Sequence, residues 1–386
     1  MKIRRPLSVW MPSGGFINFE SIKEMSININ MVIMTLVAVF ICVACVDKLA
    51  GGVFGLGLLI DEGFYTLGPL AVIMIGMITL SPVIARTLYP IVSPVLLLTG
   101  ADPSLFVAAI MPSDSGGAYL ALDICHAKEA GLFNGIIVAS MMGASLGIIP
   151  LVLSATDQER HKYVILGLLI GFLTIPASAL ISGVIAGIDK DVLVYNLMPI
   201  TVLAAMIAVA LVYAQSYAVK VIKCLGHIVL CVAVSGFAAS AVGALTGVKV
   251  IDGMAPINDA FAILGQIGVV LAGIFPMLYL VKKFFYRQMS LLATMMGVDD
   301  LALTGIITTL ANFFPVIPML NKMTNKGIVI NMAFVVPAGY AIGDHLGFTA
   351  GFERSFVFPL VVGKISGGIL AVMIASVYCK YIAMNE

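Results

Sequence analysis

The amino-acid sequence predicts an all-α integral membrane protein with many transmembrane segments. Of its 386 residues, 61% are hydrophobic and 11% are charged, whereas a soluble domain carries about 25% charged residues. So few charges cannot coat a water-facing surface, which excludes soluble enzymes and disordered chains. Because 21 Lys and Arg residues are balanced by 20 Asp and Glu residues, we expect no nucleic-acid partner. The partner that this composition requires is the lipid bilayer.

Eleven stretches have the roughly 20 apolar residues that a membrane-crossing helix needs. The predicted segments are 28–46, 64–85, 103–124, 131–153, 163–188, 192–219, 225–247, 261–281, 298–320, 327–344 and 356–378. If residues 1–27 form a cytoplasmic N-terminal tail, every arginine falls on the cytoplasmic side. This orientation satisfies the positive-inside rule.

Two of these segments are expected to be irregular. Residues 103–124 contain Pro112 followed by Gly116 and Gly117, and proline and glycine both interrupt a helix. We therefore expect broken helices at 103–124 and 298–320. The alternative is that each segment is a re-entrant hairpin that returns to the side from which it started, with its irregular backbone enclosed by protein.

The second half of the chain resembles the first when the sequence is shifted by 197 residues. The matches fall on glycines and on uncommon polar residues. Gly100–Ala101–Asp102 meets Gly297–Val298–Asp299, and Asn134 meets Asn331. This correspondence predicts an internal repeat.

The repeat divides the chain into three transmembrane parts. We expect a first five-segment repeat at 28–189, a connector helix within 190–224 and a second five-segment repeat at 225–386. Single crossings at the broken helices give the two repeats the same orientation. Hairpins would instead make the repeats inverted, and transporters use both kinds of repeat.

Asp114 is the sharpest functional candidate, because an ionisable side chain within a membrane segment is costly and usually functional. It is flanked by Ser113 and Ser115 and lies between helix breakers, where an opened helix frees backbone carbonyls. One carboxylate beside two hydroxyls suits a small cation, in particular an ammonium ion that also carries a hydroxyl. The alternative is that a lysine within the membrane, such as Lys364, neutralises the carboxylate.

Other candidate substrate ligands are polar or aromatic side chains near the expected breaks. Asn312 lies near the counterpart of Asp114, Asn134 and Asn331 occupy equivalent positions in apolar helices, and Tyr119 offers a ring face to a cation. Glu62 lies where a helix enters the membrane. The structural alternatives are packing or helix-to-helix hydrogen bonding and, for Glu62, a helix N-terminal charge.

The sequence contains no legible phosphate-binding loop, zinc motif or catalytic triad. We therefore expect neither an enzyme nor a bound cofactor or metal.

Five stretches then follow one another in a distinctive order. They are Glu62–Gly63–Phe64, Met74–Ile75–Gly76–Met77 with Ser81–Pro82–Val83, Gly100–Ala101–Asp102–Pro103–Ser104–Leu105–Phe106, and Asp114–Ser115–Gly116–Gly117. In order and spacing they resemble the bacterial ethanolamine utilisation permease family. A cysteine commonly precedes the aspartate in that family, where this chain has Ser113.

The resemblance implies a multi-pass permease of the bacterial cytoplasmic (inner) membrane that takes up ethanolamine for catabolism. Ethanolamine is a protonated amino alcohol at neutral pH, which suits a carboxylate with hydroxyl neighbours. Facilitated diffusion suffices in principle, because the membrane potential draws a cation inward by about 2.3 kcal/mol per 100 mV. The alternatives are a proton- or sodium-coupled carrier of another small polar solute, with Asp114 or Glu62 as coupling carboxylate, a channel, or an amine-binding sensor. Homo-oligomerisation stays open.

Overall fold

A computed structural model describes residues 19–296 and 299–381 of the chain. Every regular element in these residues is helical, which confirms the predicted all-α class. Within the described part, eight helices are long and apolar enough to cross a membrane, which confirms a multi-pass architecture. They are Ile29–Leu49, Ala71–Leu97, Lys128–Ala155, Gln158–Ala186, Lys190–Tyr213, Gln215–Thr246, Ile257–Val281 and Arg354–Tyr381.

The α-helices follow one another along the whole described chain. In order they are α1 (Phe19–Leu49), α2 (Leu56–Tyr65), α3 (Leu67–Leu97), α4 (Ser104–Ile110), α5 (Ala118–Ile124), α6 (Lys128–Leu132), α7 (Ala144–Ala155), α8 (His161–Ala186), α9 (Lys190–Tyr213), α10 (Gln215–Thr246), α11 (Ile257–Met296), α12 (Asp300–Ala311), α13 (Asn325–Ala338), α14 (Asp344–Phe352) and α15 (Val357–Tyr381). Two π-helical stretches, Ser113–Gly117 and Phe133–Gly143, and a 3₁₀ stretch, Phe314–Lys322, interrupt this series.

Two predicted boundaries differ from the structure. Helix α1 begins at Phe19, so the end of the predicted tail is helical, while residues 1–18 lie outside the described residues. The predicted connector ran to residue 224, but α9 ends at Tyr213 and α10 begins at Gln215. The last part of that connector therefore belongs to the next helix.

Residues 102–127 form the first hairpin, in which α4 and α5 flank the first π-helical stretch. The backbone amides of His126 and Ala127 donate hydrogen bonds to Asp102 Oδ2 at 2.9 and 3.0 Å. A helix of this length that crossed the membrane once would separate those ends by about 37 Å. The predicted break is present, but the expected single crossing at 103–124 is wrong, and the hairpin alternative describes the segment.

Residues 299–324 form the second hairpin, built from α12 and the 3₁₀ stretch that follows it. Asp299 Oδ2 accepts hydrogen bonds from the Thr324 amide and hydroxyl at 3.0 and 2.6 Å. Residue 298 lies outside the described residues. From residue 299 onward the segment folds back on itself, so the expected single crossing at 298–320 is also wrong. The two ends of this hairpin, Asp299 and Thr324, are in direct hydrogen-bond contact.

A contact between two turns excludes the predicted eleven-crossing layout. That layout places the turn before α8 on one side of the membrane and the turn before α13 on the other. In the structure, Arg160 Nη1 donates to the Met323 carbonyl at 2.8 Å, and Asn321 Nδ2 donates to the Ala155 carbonyl at 3.2 Å. Residues on opposite sides of a hydrocarbon core about 30 Å thick cannot touch. Two hairpins remove the conflict, because they put both turns on one side.

The predicted segment 327–344 contains a second kind of break. Helix α13 ends at Ala338 and α14 begins at Asp344. Between them, Tyr340 adopts φ 60°, which a bulky side chain rarely does. The Tyr340 and Ile342 amides donate to carbonyls of α12 at 2.9 and 2.8 Å, so the second hairpin supports the broken backbone.

Small residues let α8 pack closely against α13 and α15, as is usual between membrane helices. A Cβ on Gly171 would lie 2.6 Å from Val336 Cβ, and one on Gly367 would lie 2.5 Å from Ser178 Cβ. The Ser178 hydroxyl donates to the Gly363 carbonyl at 2.7 Å. These contacts hold α15 in place and thereby position the side chain of Lys364.

Candidate functional site

Asp114 lies in the π-helical turn at the tip of the first hairpin. Pro112 precedes it in an extended conformation, and Gly116 follows with φ 90°, a conformation that glycine adopts readily. A Cβ at Gly116 would also lie 2.3 Å from Met77 Cβ. The Asp114 side chain is 13% exposed, and its Oδ1 accepts a hydrogen bond from Ser115 Oγ at 3.3 Å. The turn therefore holds a carboxylate at an opened point of the helix.

His345 faces Asp114 from the second half of the chain. His345 Nε2 lies 3.9 Å from Asp114 Oδ2, and the imidazole is 2% exposed. His345 is in the first turn of α14, and its ring centroid lies 5.2 Å from that of Tyr340. The turn in the first hairpin and the break before α14 thus build one site.

Lys364 extends from α15 into the same interior region. It is fully buried, and its Nζ donates a hydrogen bond to the Ser140 carbonyl at 2.7 Å. Lys364 interacts electrostatically with Asp114 and His345. It makes no direct ion pair with a carboxylate of the described residues. Lys364 therefore attracts Asp114 without forming a salt bridge with it.

Several buried polar atoms on the elements that build the site have no hydrogen-bond partner in the described part of the chain. They are Thr309 Oγ1, Asp344 Oδ1, His345 Nδ1 and Thr349 Oγ1. Asp344 precedes His345 and interacts electrostatically with Asp114. An unsatisfied buried polar group costs roughly 1–3 kcal/mol. Such a group of atoms is suited to a polar solute that supplies the missing hydrogen bonds.

Tyr119 belongs to an aromatic group that joins α5 to α14. Its ring lies 6.2 Å from Phe348 and 4.6 Å from Phe352, both in edge-to-face geometry. Tyr119 is on α5, the helix that begins just after Asp114, and both phenylalanines are on α14. This aromatic group joins the same two elements that carry Asp114 and His345.

Asn134 and Asn331 lie at the bases of the hairpins. Asn134 Nδ2 donates to Ser104 Oγ at 3.0 Å and to Asn196 Oδ1 at 2.8 Å. Asn331 Nδ2 donates to the Ala302 carbonyl at 2.9 Å. Each asparagine makes helix-to-helix hydrogen bonds, which was the structural alternative to ligand binding, and each keeps one unpaired side-chain oxygen.

The remaining residues predicted to bind the substrate lie at the tips of the two hairpins and on α2. Ser113 is buried next to Asp114. Asn312 follows α12 at the tip of the second hairpin, where its Oδ1 accepts from the Phe314 amide at 2.9 Å. Glu62 is exposed on α2, on a different element from those that carry the Asp114 site.

Asp344 and His345 escape prediction from sequence, because they stand at the end of an apolar segment where polar residues usually mark the membrane interface. A signal was nevertheless present. Pro337 and Gly339 interrupt that segment much as Pro112 and Gly116 interrupt the first hairpin. An ionisable residue shortly after a helix breaker is the common feature of both halves.

Broken helices, two hairpins and a buried ionisable group in an all-helical, multi-pass chain are typical of membrane transporters. The structure therefore belongs to the class of polytopic membrane proteins with a transport-type architecture.

The chain belongs to the family described as ethanolamine utilisation protein EutH, whose family model matches residues 29–378. It is 39% identical over 348 residues to the Probable ethanolamine permease EutH of Listeria monocytogenes, covering 90% of this chain and 93% of the relative. It is 36% identical over 349 residues to the Uncharacterized protein YxeR of Bacillus subtilis, covering 90% and 94%. It is 31% identical over 386 aligned positions to the Probable ethanolamine permease EutH of Salmonella typhimurium, covering 90% and 95%.

No solved structure matches the chain. The family predicted from the sequence motifs is confirmed, and the names of the relatives support a transporter role.

Proposed function

We propose that this chain carries ethanolamine, as its ammonium cation, across the bacterial cytoplasmic membrane for catabolism. The observation that carries this proposal is Asp114, a nearly buried carboxylate on an opened turn that faces a second set of polar groups. The names of two relatives, Probable ethanolamine permease EutH, support the same substrate. Ethanolamine is thus the substrate that we propose for this member of the family.

The charge of the site suits a single monovalent cation. Asp114 and Asp344 supply two carboxylates, whereas Lys364 supplies one ammonium. With His345 neutral, one negative charge is left over, and an ethanolammonium ion balances it. In a medium of low polarity, this balance matters, because an uncompensated buried charge costs several kcal/mol.

We propose distinct positions for the two ends of the substrate. The ammonium lies between Asp114 and Asp344, within reach of the Tyr119 ring group. The hydroxyl contacts Ser113 or Ser115, with Asn312 near the second hairpin tip as a further partner. Asn134 and Asn331 hold the hairpins in place and do not contact the substrate.

We further propose that the two halves of the chain are inverted repeats related by the 197-residue shift. The supporting observation is that the shift relates hydrogen bonds as well as sequence. Asp102 accepts from the Ala127 amide at 3.0 Å, and its counterpart Asp299 accepts from the amide of Thr324, the counterpart of Ala127, at 3.0 Å. Each repeat then has four crossings and one hairpin, and α9 is the connector. Two hairpins entering from opposite sides place their tips near the midplane, where carriers bind substrates.

This topology also changes the proposed orientation. The turns that carry Arg160, Lys162, Lys220 and Lys223 lie on one side in the hairpin layout, and we propose that this side is cytoplasmic, following the positive-inside rule. The predicted cytoplasmic tail would then be on the opposite side. Thiol labelling of single cysteines, placed at 158 or at 190 in a cysteine-free background, tests the orientation. Only position 158 should be protected from an impermeant reagent added to intact cells.

Transport of labelled ethanolamine into proteoliposomes tests the substrate. We expect saturable uptake that other small amino alcohols inhibit and that ethylene glycol, which lacks the ammonium, does not. Under a potassium diffusion potential negative inside, uptake should accelerate without any proton or sodium gradient. Absence of ethanolamine flux in folded protein would contradict the proposal, linear flux without saturation would indicate a channel, and binding without flux would indicate a sensor.

A further inference from the structure

Lys364 is a second cation in a site that we propose to hold a cation. The side chain is fully buried, and its Nζ donates a hydrogen bond to a neutral group, the Ser140 carbonyl. Asp114 attracts the Lys364 ammonium electrostatically, without an ion-pair contact between them. A lysine in this position is costly to bury, so its presence calls for a role.

The empty carrier offers such a role. When the substrate leaves, Asp114 and Asp344 stay in the interior without its ammonium, and an uncompensated buried charge costs several kcal/mol. This cost would fall on the step in which the unloaded carrier returns to the side of uptake. His345 and Tyr340 also face the carboxylates, but Lys364 is the group among these whose side chain is protonated at neutral pH in water.

We propose that Lys364 is an internal counter-ion that takes the place of the substrate ammonium beside Asp114 while the carrier returns empty. This inference rests on the proposed transport of ethanolamine. The lysine ammonium stands on a flexible four-carbon stem, and one hydrogen bond to Ser140 is the contact that it gives up to approach the carboxylate. When the substrate binds, it takes the place beside Asp114, and Lys364 returns to the Ser140 carbonyl, the arrangement of this structure.

Net uptake and exchange distinguish this role from a structural one. Net uptake requires the empty carrier to return, whereas exchange of labelled for unlabelled ethanolamine uses only the loaded carrier. We therefore expect Lys364→Met to slow net uptake at least tenfold more than it slows exchange. Lys380→Met, which removes an exposed lysine from the same helix, is the matched control and should leave both rates unchanged.

The outcomes separate the failure of this inference from the failure of the proposed function. If wild-type protein shows neither net uptake nor exchange of ethanolamine, the proposed function falls and the inference falls with it. If the wild type transports ethanolamine and Lys364→Met loses both rates, or keeps both, the inference alone is overturned. Selective loss of net uptake supports it.

A stability measurement covers the case in which Lys364→Met is too unstable for the transport assays. Removing the lysine leaves Asp114 uncompensated, so adding Asp114→Asn should restore the melting temperature that Lys364→Met loses. A double variant that melts as low as Lys364→Met alone would overturn the counter-ion role, because the lysine would then be needed for packing and not for charge.

Discussion

The two hairpins have the same base and different tips. At each base an aspartate, Asp102 or Asp299, accepts hydrogen bonds from the backbone where the hairpin ends. At the tips, Asp114 of the first hairpin corresponds to Ala311 of the second, and Gly116 corresponds to Phe313. The first tip holds a charge on a glycine-dependent turn, whereas the second holds an apolar end.

This difference indicates that the bases support the backbone, whereas the first tip carries the candidate site. Both hairpins need a hydrogen-bonded base, because backbone polar groups inside a membrane protein must find their partners within the protein. A carboxylate at one tip is enough for the proposed substrate, which is a single cation. The second hairpin contributes instead by supporting the broken backbone before α14 through its carbonyls, and so it positions Asp344 and His345.

The largest loss of stability is expected at the glycine of the first tip. Gly116→Ala places a Cβ 2.3 Å from Met77 Cβ on a residue with φ 90°, which combines backbone strain of roughly 1–3 kcal/mol with overpacking of roughly 1–3 kcal/mol. We expect a clear fall in melting temperature and at least a tenfold loss of uptake. Gly147→Ala is the control, since a Cβ there has no neighbour within 4 Å. Equal behaviour of the two variants would contradict the tip geometry.

The hairpin bases should matter for stability and not for substrate. Asp102→Asn and Asp299→Asn each remove charge-assisted hydrogen bonds to backbone amides, and we expect each to lower the free energy of unfolding by roughly 1.5–3 kcal/mol. Thermal melting measures this loss, and uptake per folded molecule should stay within about twofold. Asp252→Asn, at an exposed loop position, is the control. A base variant with normal melting and abolished uptake would place the base in the site.

The second carboxylate should affect the affinity for the substrate more than stability. Asp344 Oδ1 is buried and unpaired in the described chain, so Asp344→Asn removes few interactions within the protein. We expect KM for ethanolamine to rise about tenfold, which corresponds to about 1.4 kcal/mol, with no loss of melting temperature. Asp300→Asn, an exposed residue of α12, is the control. An unchanged KM would remove Asp344 from the site.

The smallest effect is expected at Glu62. Its side chain is exposed on α2, apart from the elements that carry Asp114 and His345, and it is subject to solvent screening. We expect Glu62→Gln to change KM by less than about twofold in uptake assays. A tenfold rise in KM would instead return Glu62 to the proposed pathway.

Local patterns predicted much of the fold, because apolar length and helix breakers are properties of contiguous residues. They located Asp114 and the breaks at both hairpins. They did not decide between a single crossing and a hairpin, because that choice depends on hydrogen bonds between Asp102 and residues 126 and 127, which are distant in sequence. The Lys and Arg distribution then favoured the wrong layout, since each hairpin reverses the side of every later turn.

The candidate site was predicted only in part, because most of its residues are distant from one another in sequence. Asp114 and Ser115 share one turn, so sequence proximity was enough to associate them. Asp344, His345 and Lys364 meet Asp114 only through tertiary packing across both halves of the chain. Asn134 and Asn331 were grouped with the site because the 197-residue shift relates them, and their place in a substrate site stays a prediction.

The most direct test of the account is uptake of labelled ethanolamine by proteoliposomes that contain wild-type protein or Asp114→Asn. Loss of the carboxylate leaves the ammonium without its partner, and breaking a buried charge pair costs roughly 3–5 kcal/mol. We predict saturable uptake by the wild type and at least a hundredfold lower uptake at the same substrate concentration by Asp114→Asn, with an unchanged or higher melting temperature. Wild-type uptake by folded Asp114→Asn would contradict the assignment of Asp114 as the cation site.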